Sequence, residues 1–486
     1  MKLTAPQYQR LPQFIGREAE SARLLELANT NKAQIVVVYG RRRVGKTELI
    51  EHTLGERNLL KFEGLERQSK AKQIEQVMTT LARYTQEPTV AKIKFKNWVE
   101  VFEFIAQLIK TGRWTLYLEE LQWLANYHQE LISAFKYVWD NALRHNASLL
   151  VVFCGSSPSF MINKVLFSSA LYNRSEESFP LYPLPVSAAR KFFSNGSSPF
   201  EIMDALLTVG AIPPYLEKLA AAPSVQLGLC KHAFQKNSYF VEEYERIFTS
   251  SMSENPAYKK ILEFLAGRPY ATRKEIAKAA GISSGGGLAA MLLDLEQTNF
   301  IQSYSPLEKK PEAKNKRYQL IDPYLQFFLQ FIKPKISKIR RGLYDAHPER
   351  TLDLPSWRAF LGLSFERWIR NNALMIAEML GFRGIDFNWG AYFSKKEPKV
   401  QIDLIFERAD KVTTIVEVKY TQSLIGKEVI KEFERKCAIY PAKNQSIKKV
   451  LISASGATED LKRAAYFDKI ITLEEIWHFM EKERLY

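Results

Sequence analysis

The chain has 486 residues, 46% of them hydrophobic and 25% charged, with a formal net charge of +16. That is enough apolar material for several cores, and it excludes wholesale disorder and a miniature disulfide scaffold. Cys154, Cys230 and Cys437 stand far apart with no CxxC pair, which argues against a zinc cluster or a disulfide framework. The opening MKLTAPQYQR has no apolar leader and no run is long enough to cross a bilayer, so a cytoplasmic protein with no membrane partner is expected. The positive charge favours polyanion partners, most locally from Lys309 to Arg341, where ten basic side chains face two acidic ones, Glu312 and Asp322.

In chain order, residues 1–183 read as an α/β core. A helix near Glu18–Asn29 precedes the apolar strand Ile35–Tyr39, a glycine-rich turn and a helix at Lys46–His52. The unbroken apolar runs Leu116–Leu118 and Leu149–Cys154 have the character of strands buried on both faces of a parallel sheet. Residues 184–250 keep a helical period and form a helical extension. Residues 251–322 change rhythm. Tyr258–Leu265 is amphipathic, Thr272 with Glu275 forms a capping pair, and Ser283/Ser284 precede a third helix carrying Leu288, Met291, Leu292 and Leu295. Two short β stretches, Phe300–Tyr304 and Arg317–Ile321, flank the polar loop SPLEKKPEAKNK, completing a winged helix-turn-helix pattern. Residues 323–355 hold the aromatic helix with Tyr324, Phe327, Phe328 and Phe331, which is core rather than a base-stacking platform, then a basic linker ending in DAHPERTLDLP. Residues 356–486 read as a further α/β unit, with a helix holding Glu366, strands around Val400–Phe406, Thr414–Tyr420 and Val450–Ser453, and a helix at Ile425–Lys436.

The segment Gly40-Arg41-Arg42-Arg43-Val44-Gly45-Lys46-Thr47 fits GxxxxGK[ST] between a buried strand and a helix start, the context of a phosphate-binding P-loop. Gly40 and Gly45 let backbone N–H groups wrap phosphate oxygens, Lys46 reaches the β/γ oxygens, and Thr47 is a Mg²⁺ ligand. ATP and Mg²⁺ are therefore the expected cofactors. Two acids end the strand LYLEE: Glu119 is expected in the metal shell and Glu120 to polarise the attacking water. Ser156, at the tip of the next strand, either senses the γ-phosphate or caps a helix before Pro158. Arg174 is a phosphate-contacting candidate, within the chain or on a neighbouring copy, or a solvated side chain.

In the last unit, Asp403 lies on one strand, and Glu417 and Lys419 on the next point to a common face because the strand period is two. Asp403, Glu417 and Glu366 are candidate Mg²⁺ ligands, and Lys419 would orient the nucleophile or stabilise charge in phosphodiester hydrolysis. A salt-bridged strand is the structural alternative, but apolar Ile402, Leu404, Ile405, Ile415, Val416 and Val418 put these charges in buried strands, where they need a partner or a metal. Lys427 and Lys431 on the following helix are solvated or touch phosphates. The six histidines are isolated and form no ligand series.

Together, Phe14-Ile15-Gly16-Arg17-Glu18, GRRRVGKT, LYLEELQWL, FCGSS, LYNR, Pro183-Leu184 and Gly210-Ala211-Ile212-Pro213-Pro214-Tyr215-Leu216 resemble an archaeal-type P-loop ATPase family related to the AAA and STAND groups. The resemblance covers nearly the whole chain and implies a winged helix followed by a C-terminal restriction-endonuclease-like, PD-(D/E)xK domain over 356–486. It implies ATP·Mg²⁺ binding and hydrolysis, with Lys46 and Thr47 in the phosphate loop, Glu120 as the hydrolytic acid, and Glu366, Asp403, Glu417 and Lys419 as the nuclease cluster. Glu119 replaces the usual aspartate, and Ala211 the usual second glycine of a GGIP segment. The leading expectation is an ATPase that couples nucleotide state to DNA contact and cleavage, working alone or as a homo-oligomer. The alternatives are an ATP-gated DNA-associated regulator with a non-catalytic nuclease fold, and a signalling ATPase with a protein or RNA partner.

Overall fold

The computed structural model describes residues 3–4, 14–169, 171, 174–175, 177–194, 196–251, 255–307, 316–394, 399–441 and 446–483. The chain divides into two compact units: residues 1–184 with 246–255 and 292–299, and residues 185–245, 256–291 and 300–486.

The first unit is built on five parallel strands, β1 (Gln34–Tyr39), β2 (Asn58–Glu63), β3 (Trp114–Glu119), β4 (Leu150–Gly155) and β5 (Glu177–Pro180), in the order β2-β3-β4-β1-β5. β1, β3 and β4 are the apolar runs expected from the sequence. Their residues are buried on both faces, as a parallel sheet covered by crossover helices requires. Helices α1 (Glu18–Ala28) and α2 (Lys46–Leu54) flank β1, and α3 (Lys70–Thr85) and α4 (Trp98–Leu108) lie between β2 and β3 in sequence. Ile35, Val37, Leu116, Leu118, Val151 and Phe153 form one core with Val77 and Leu81 of α3, Val101 and Phe102 of α4, and Phe135. The sheet order sets the C-terminal ends of β3, β4 and β1 side by side, where open α/β sheets bind ligands.

In the second unit the helices Ala257–Ala266 and Arg273–Ala280 accompany a small antiparallel sheet of β6 (Ala271–Thr272), β7 (Ile301–Tyr304) and β8 (Arg317–Leu320), ordered β6-β8-β7. Thr272 and Glu275 make the expected reciprocal capping box. Residues 308–315, the tip of the basic loop, lie outside the described residues. Tyr324, Phe327 and Phe328 are fully buried, in line with a core role. The stretch read as a linker is folded: Asp345 accepts from the Lys236 N–H at 2.7 Å, Lys335 Nζ donates to the Thr351 carbonyl at 2.6 Å, and Asp353 caps the helix Leu354–Asn371.

A mixed sheet follows, ordered β13-β12-β11-β10-β9: β9 (Phe387–Ser394), β10 (Val400–Arg408), β11 (Val412–Lys419), β12 (Ser446–Ser453) and β13 (Lys469–Thr472). β9, β10 and β11 are antiparallel neighbours, whereas β11, β12 and β13 run parallel. The helix Glu428–Ile439 covers one face through Val429 and Phe433, which pack with Ile402, Ile405, Ile415 and Leu451. The β9–β10 register shifts between Ile402 and Ile405, so Asp403 sits in a local irregularity of its strand. No helix among the described residues is long and apolar enough to cross a membrane.

Candidate functional site

The turn after β1 needs its glycines for two reasons. A Cβ at Gly40 would stand 2.2 Å from the Leu181 carbonyl oxygen, and Gly45 has φ +91, a left-handed conformation that glycine adopts without steric cost. Gly45 is the N-cap of α2 and provides no side-chain cap, which leaves the first N–H groups of α2 for an anion. Lys46 folds back over the turn and donates through Nζ to the Gly40 carbonyl at 3.0 Å and the Arg41 carbonyl at 3.1 Å. Its ammonium thus sits inside the loop. Arg17 braces the turn from outside, donating to the Val44 carbonyl at 3.1 Å and to the Tyr182 carbonyl. Burial lowers the Arg17 pKa, and Glu20 opposes that effect. Phe-Ile-Gly-Arg-Glu belongs to the family resemblance, but its role as a clamp on the loop is not deducible from spacing.

Glu119, at the end of β3, is buried and held on both oxygens. Oε1 accepts from the Thr47 hydroxyl and from the Tyr117 hydroxyl at 2.8 Å, and Oε2 lies 2.5 Å from Lys61 Nζ. Lys61 projects from the adjacent β2 and also pairs with Glu51 of α2 at 2.9 Å. Burial works against the Lys61 charge, but the Glu119 and Glu51 carboxylates outweigh it and hold its pKa above the ordinary lysine value. A hydroxyl and a carboxylate side by side are hard oxygen donors, so Thr47 and Glu119 fit Mg²⁺ and its waters. The sequence motifs point to this pair but not to Lys61 or Tyr117.

Glu120 begins the turn after β3 with φ 48. Its Oε2 accepts from the Ser156 hydroxyl at 2.6 Å, the Ser156 N–H at 3.2 Å and Gln122 Nε2 at 2.7 Å. Ser156 is thus tied to the candidate hydrolytic acid, and the helix N-cap beside it is Ser157, which makes no side-chain cap bond. Three donors thus converge on one oxygen of Glu120. Arg174 makes a two-pronged ion pair with Asp140, at 3.0 and 3.1 Å, and Lys136 joins the same carboxylate at 3.1 Å. Its neighbours Tyr172 and Asn173 lie outside the described residues.

The second group of acids gathers in the mixed sheet. The β10–β11 register pairs Leu404 with Val416, so Asp403 and Glu417 follow on adjoining strands. Asp403 Oδ2 accepts from the Val418 N–H at 3.0 Å. Arg370, one helical turn beyond Glu366, donates to the Asp403 carbonyl at 3.0 Å, and Gln401 donates to Glu366 at 3.2 Å. Burial, then the nearby Asp403 and Glu417 charges, push the Glu366 pKa up to about 7, with Arg370 and Lys419 opposing. Asp403 is raised by burial and by Glu417. Glu417 is almost fully buried, and its two oxygens lie 2.7 Å from Lys419 Nζ and 2.7 Å from Lys436 Nζ. Glu366, Asp403, Glu417 and Lys419 therefore feel one another's charge. Among the described residues, however, no three carboxylates stand as a ready ligand group for a metal ion. Each Glu417 oxygen lies beside an ammonium, which a cation would have to compete with.

A cavity of about 530 Å³ opens where the end of β11 meets the helices Pro199–Val209 and Leu354–Asn371, lined in part by Phe200, Asp204, Trp357, Arg358 and Tyr420. Tyr420, the residue after Lys419, donates to Asp204 at 2.6 Å. Burial raises the Asp204 pKa to about 6 despite that hydrogen bond. Nothing in the sequence joins these two residues, which lie 216 positions apart.

Residues 14–219 match the family model described as an ATPase domain predominantly from Archaea. Over 417 residues the chain is 27% identical to an uncharacterized protein of Methanocaldococcus jannaschii, covering 84% of this chain and 87% of that one. Among solved structures it is similar to the Walker-type ATPase of Pyrococcus abyssi, at 21% identity and TM-score 0.47, covering 67% of this chain and 98% of that one. It is also similar to the ORC2 protein of Aeropyrum pernix, at 12% identity and TM-score 0.41, covering 68% and 98%. The family match spans the glycine-rich turn, Glu119, Glu120, Ser156 and Arg174. The chain carries a P-loop ATPase domain of archaeal type, as its motifs implied.

Proposed function

We propose that the protein binds ATP·Mg²⁺ and hydrolyses it, and that nucleotide state governs contact with DNA through the downstream domains. The observation that carries the nucleotide reading is the convergence of Lys46, the Thr47–Glu119 pair and the Glu120–Ser156 pair at neighbouring ends of β1, β3 and β4. In this reading Lys46 and the turn bind the phosphates, and Thr47 and Glu119 hold Mg²⁺, which neutralises phosphate charge. Glu120, steered by Ser156 and Gln122, takes a proton from water. Arg174 would reach phosphate only on leaving Asp140. Lys46→Ala is expected to remove most nucleotide affinity while leaving the fold intact; equal affinity in variant and wild type, measured by calorimetry, would overturn the assignment.

The DNA reading rests on the net charge of +16 and on the helices Ala257–Ala266 and Arg273–Ala280 with the small antiparallel sheet β6-β8-β7, elements that a winged helix would use. The mixed sheet with Asp403 on one strand and Glu417 and Lys419 on the next supports a restriction-endonuclease-like domain. One observation favours a non-catalytic version of it: the Glu417 carboxylate is already neutralised by Lys419 and Lys436. Plasmid nicking with Mg²⁺ or Mn²⁺ separates the two. Cleavage lost in Asp403→Ala and Lys419→Ala supports a nuclease, whereas salt-dependent DNA binding without cleavage supports a regulator.

A further inference from the structure

The Glu119 side chain is long, so its carboxylate has conformational freedom to lose. It is also buried, which requires compensation of its charge. The structure meets both needs with contacts on each oxygen. Thr47 and Tyr117 hold Oε1, and Lys61 holds Oε2 at 2.5 Å. Lys61 is shared, because Glu51 of α2 takes part of its charge at 2.9 Å.

We propose that Lys61 is a positioning residue and built-in counter-ion for Glu119, and that its competition with Mg²⁺ for this carboxylate sets the metal affinity of the nucleotide site. The inference rests on the reading that Thr47 and Glu119 hold Mg²⁺. An ammonium against one oxygen lowers the negative potential that the other oxygen offers a divalent cation. Glu51 moderates that effect by drawing on the same ammonium. Weakening Lys61 and weakening Glu51 should therefore move the affinity for Mg²⁺ in opposite directions, which a merely structural role for this pair would not do. Arginine at position 61 keeps the charge and should keep the wild-type constant.

The test is a Mg²⁺ titration of the full-length protein, read as the gain in affinity for a fluorescent ADP analogue. Lys61→Met is expected to lower the half-saturating Mg²⁺ concentration about ten-fold, a difference of about 1.4 kcal/mol. Glu51→Gln is expected to raise it about three-fold, and Lys61→Arg to leave it within about two-fold of wild type. Steady-state hydrolysis at saturating Mg²⁺ should fall in Lys61→Met, where the long Glu119 side chain loses one of its anchors, and recover in Lys61→Arg, which restores it. Glu51→Gln keeps the Lys61–Glu119 contact and supplies a second reading if Lys61→Met folds poorly. An unchanged or raised half-saturation in folded Lys61→Met, or a tighter site in Glu51→Gln, would overturn the proposal. A wild-type protein whose ADP affinity ignores Mg²⁺ would instead overturn the metal reading beneath it, and this proposal with it.

Discussion

Asp204 offers a direct check on the electrostatics of the second unit. Its carboxyl lies against Tyr420 in a cavity lined by both apolar and polar side chains, and burial lifts its pKa from the ordinary 3.8 to about 6. A rise of that size corresponds to about 3 kcal/mol of preference for the protonated form. The direction of its effect on stability follows from linkage. A folded-state pKa above the unfolded value means the native state binds the proton more tightly, so this group's contribution is fully present below about pH 4 and is lost as pH rises through about 6. Asp204→Asn cannot ionise and still accepts from Tyr420. Wild type and variant should therefore have similar stability near pH 4, and the variant should gain by up to about 3 kcal/mol as the pH reaches about 7.5. Urea unfolding of both proteins across that range measures the difference, and hydrogen exchange over the helix Pro199–Val209 localises it. A stability difference that does not change with pH would refute the claim that Asp204 is buried as the structure places it.

Three further outcomes follow from single contacts. Gly40→Ala drives a methyl into the Leu181 carbonyl, so it should destabilise by about 1–3 kcal/mol and abolish nucleotide binding, as thermal shift and calorimetry will read. Ser156→Ala removes two of the side-chain contacts that steer the Glu120–Gln122 group. Turnover should fall about ten-fold or more while nucleotide affinity stays within about two-fold, and an equal loss of affinity would mean that Ser156 binds nucleotide instead. Lys436→Met leaves the buried Glu417 with Lys419 alone, which should cost about 3 kcal/mol by chemical denaturation, and added Mn²⁺ should restore part of the loss if the acids can take a cation.

What is legible in the sequence depends on how locally each feature is encoded. β1, β3 and β4 declare themselves as apolar runs because strands buried on both faces have no polar alternation to obscure them. β2 escapes notice because Lys61 interrupts Leu59-Leu60 and Phe62, and β5 because it is a short edge strand of four residues. The Thr272–Glu275 box is readable because it is contained within four consecutive residues. The same division holds at the sites. Lys46 and Thr47 are picked out by the loop motif, and Glu119, Glu120 and Ser156 by their places at the ends of apolar strands. Lys61 belongs beside Glu119 only because β2 is the neighbour of β3, a fact of strand order that no local pattern contains. Lys436 reaches Glu417 through the packing of a helix on the sheet, and Asp140 meets Arg174 from 34 residues away.

The two acidic sites share one device and differ in how it can be undone. In each, a buried glutamate at a strand end is neutralised by lysine, Glu119 by Lys61 and Glu417 by Lys419 and Lys436. Such an arrangement keeps the fold from carrying an uncompensated buried charge. A metal that enters must then gain more from the carboxylate than the ammonium does. At Glu119 a nucleotide would deliver Mg²⁺ together with phosphates held by Lys46 and the start of α2 in the proposed reading, so the metal would face a single lysine with that help. At Glu417 two ammoniums face one carboxylate, and in the proposed DNA reading a single phosphodiester would stand where the nucleotide offers a polyphosphate. Metal-dependent chemistry there should consequently require higher divalent-ion concentrations than nucleotide hydrolysis does, and DNA should lower that requirement by drawing Lys419 toward its phosphate.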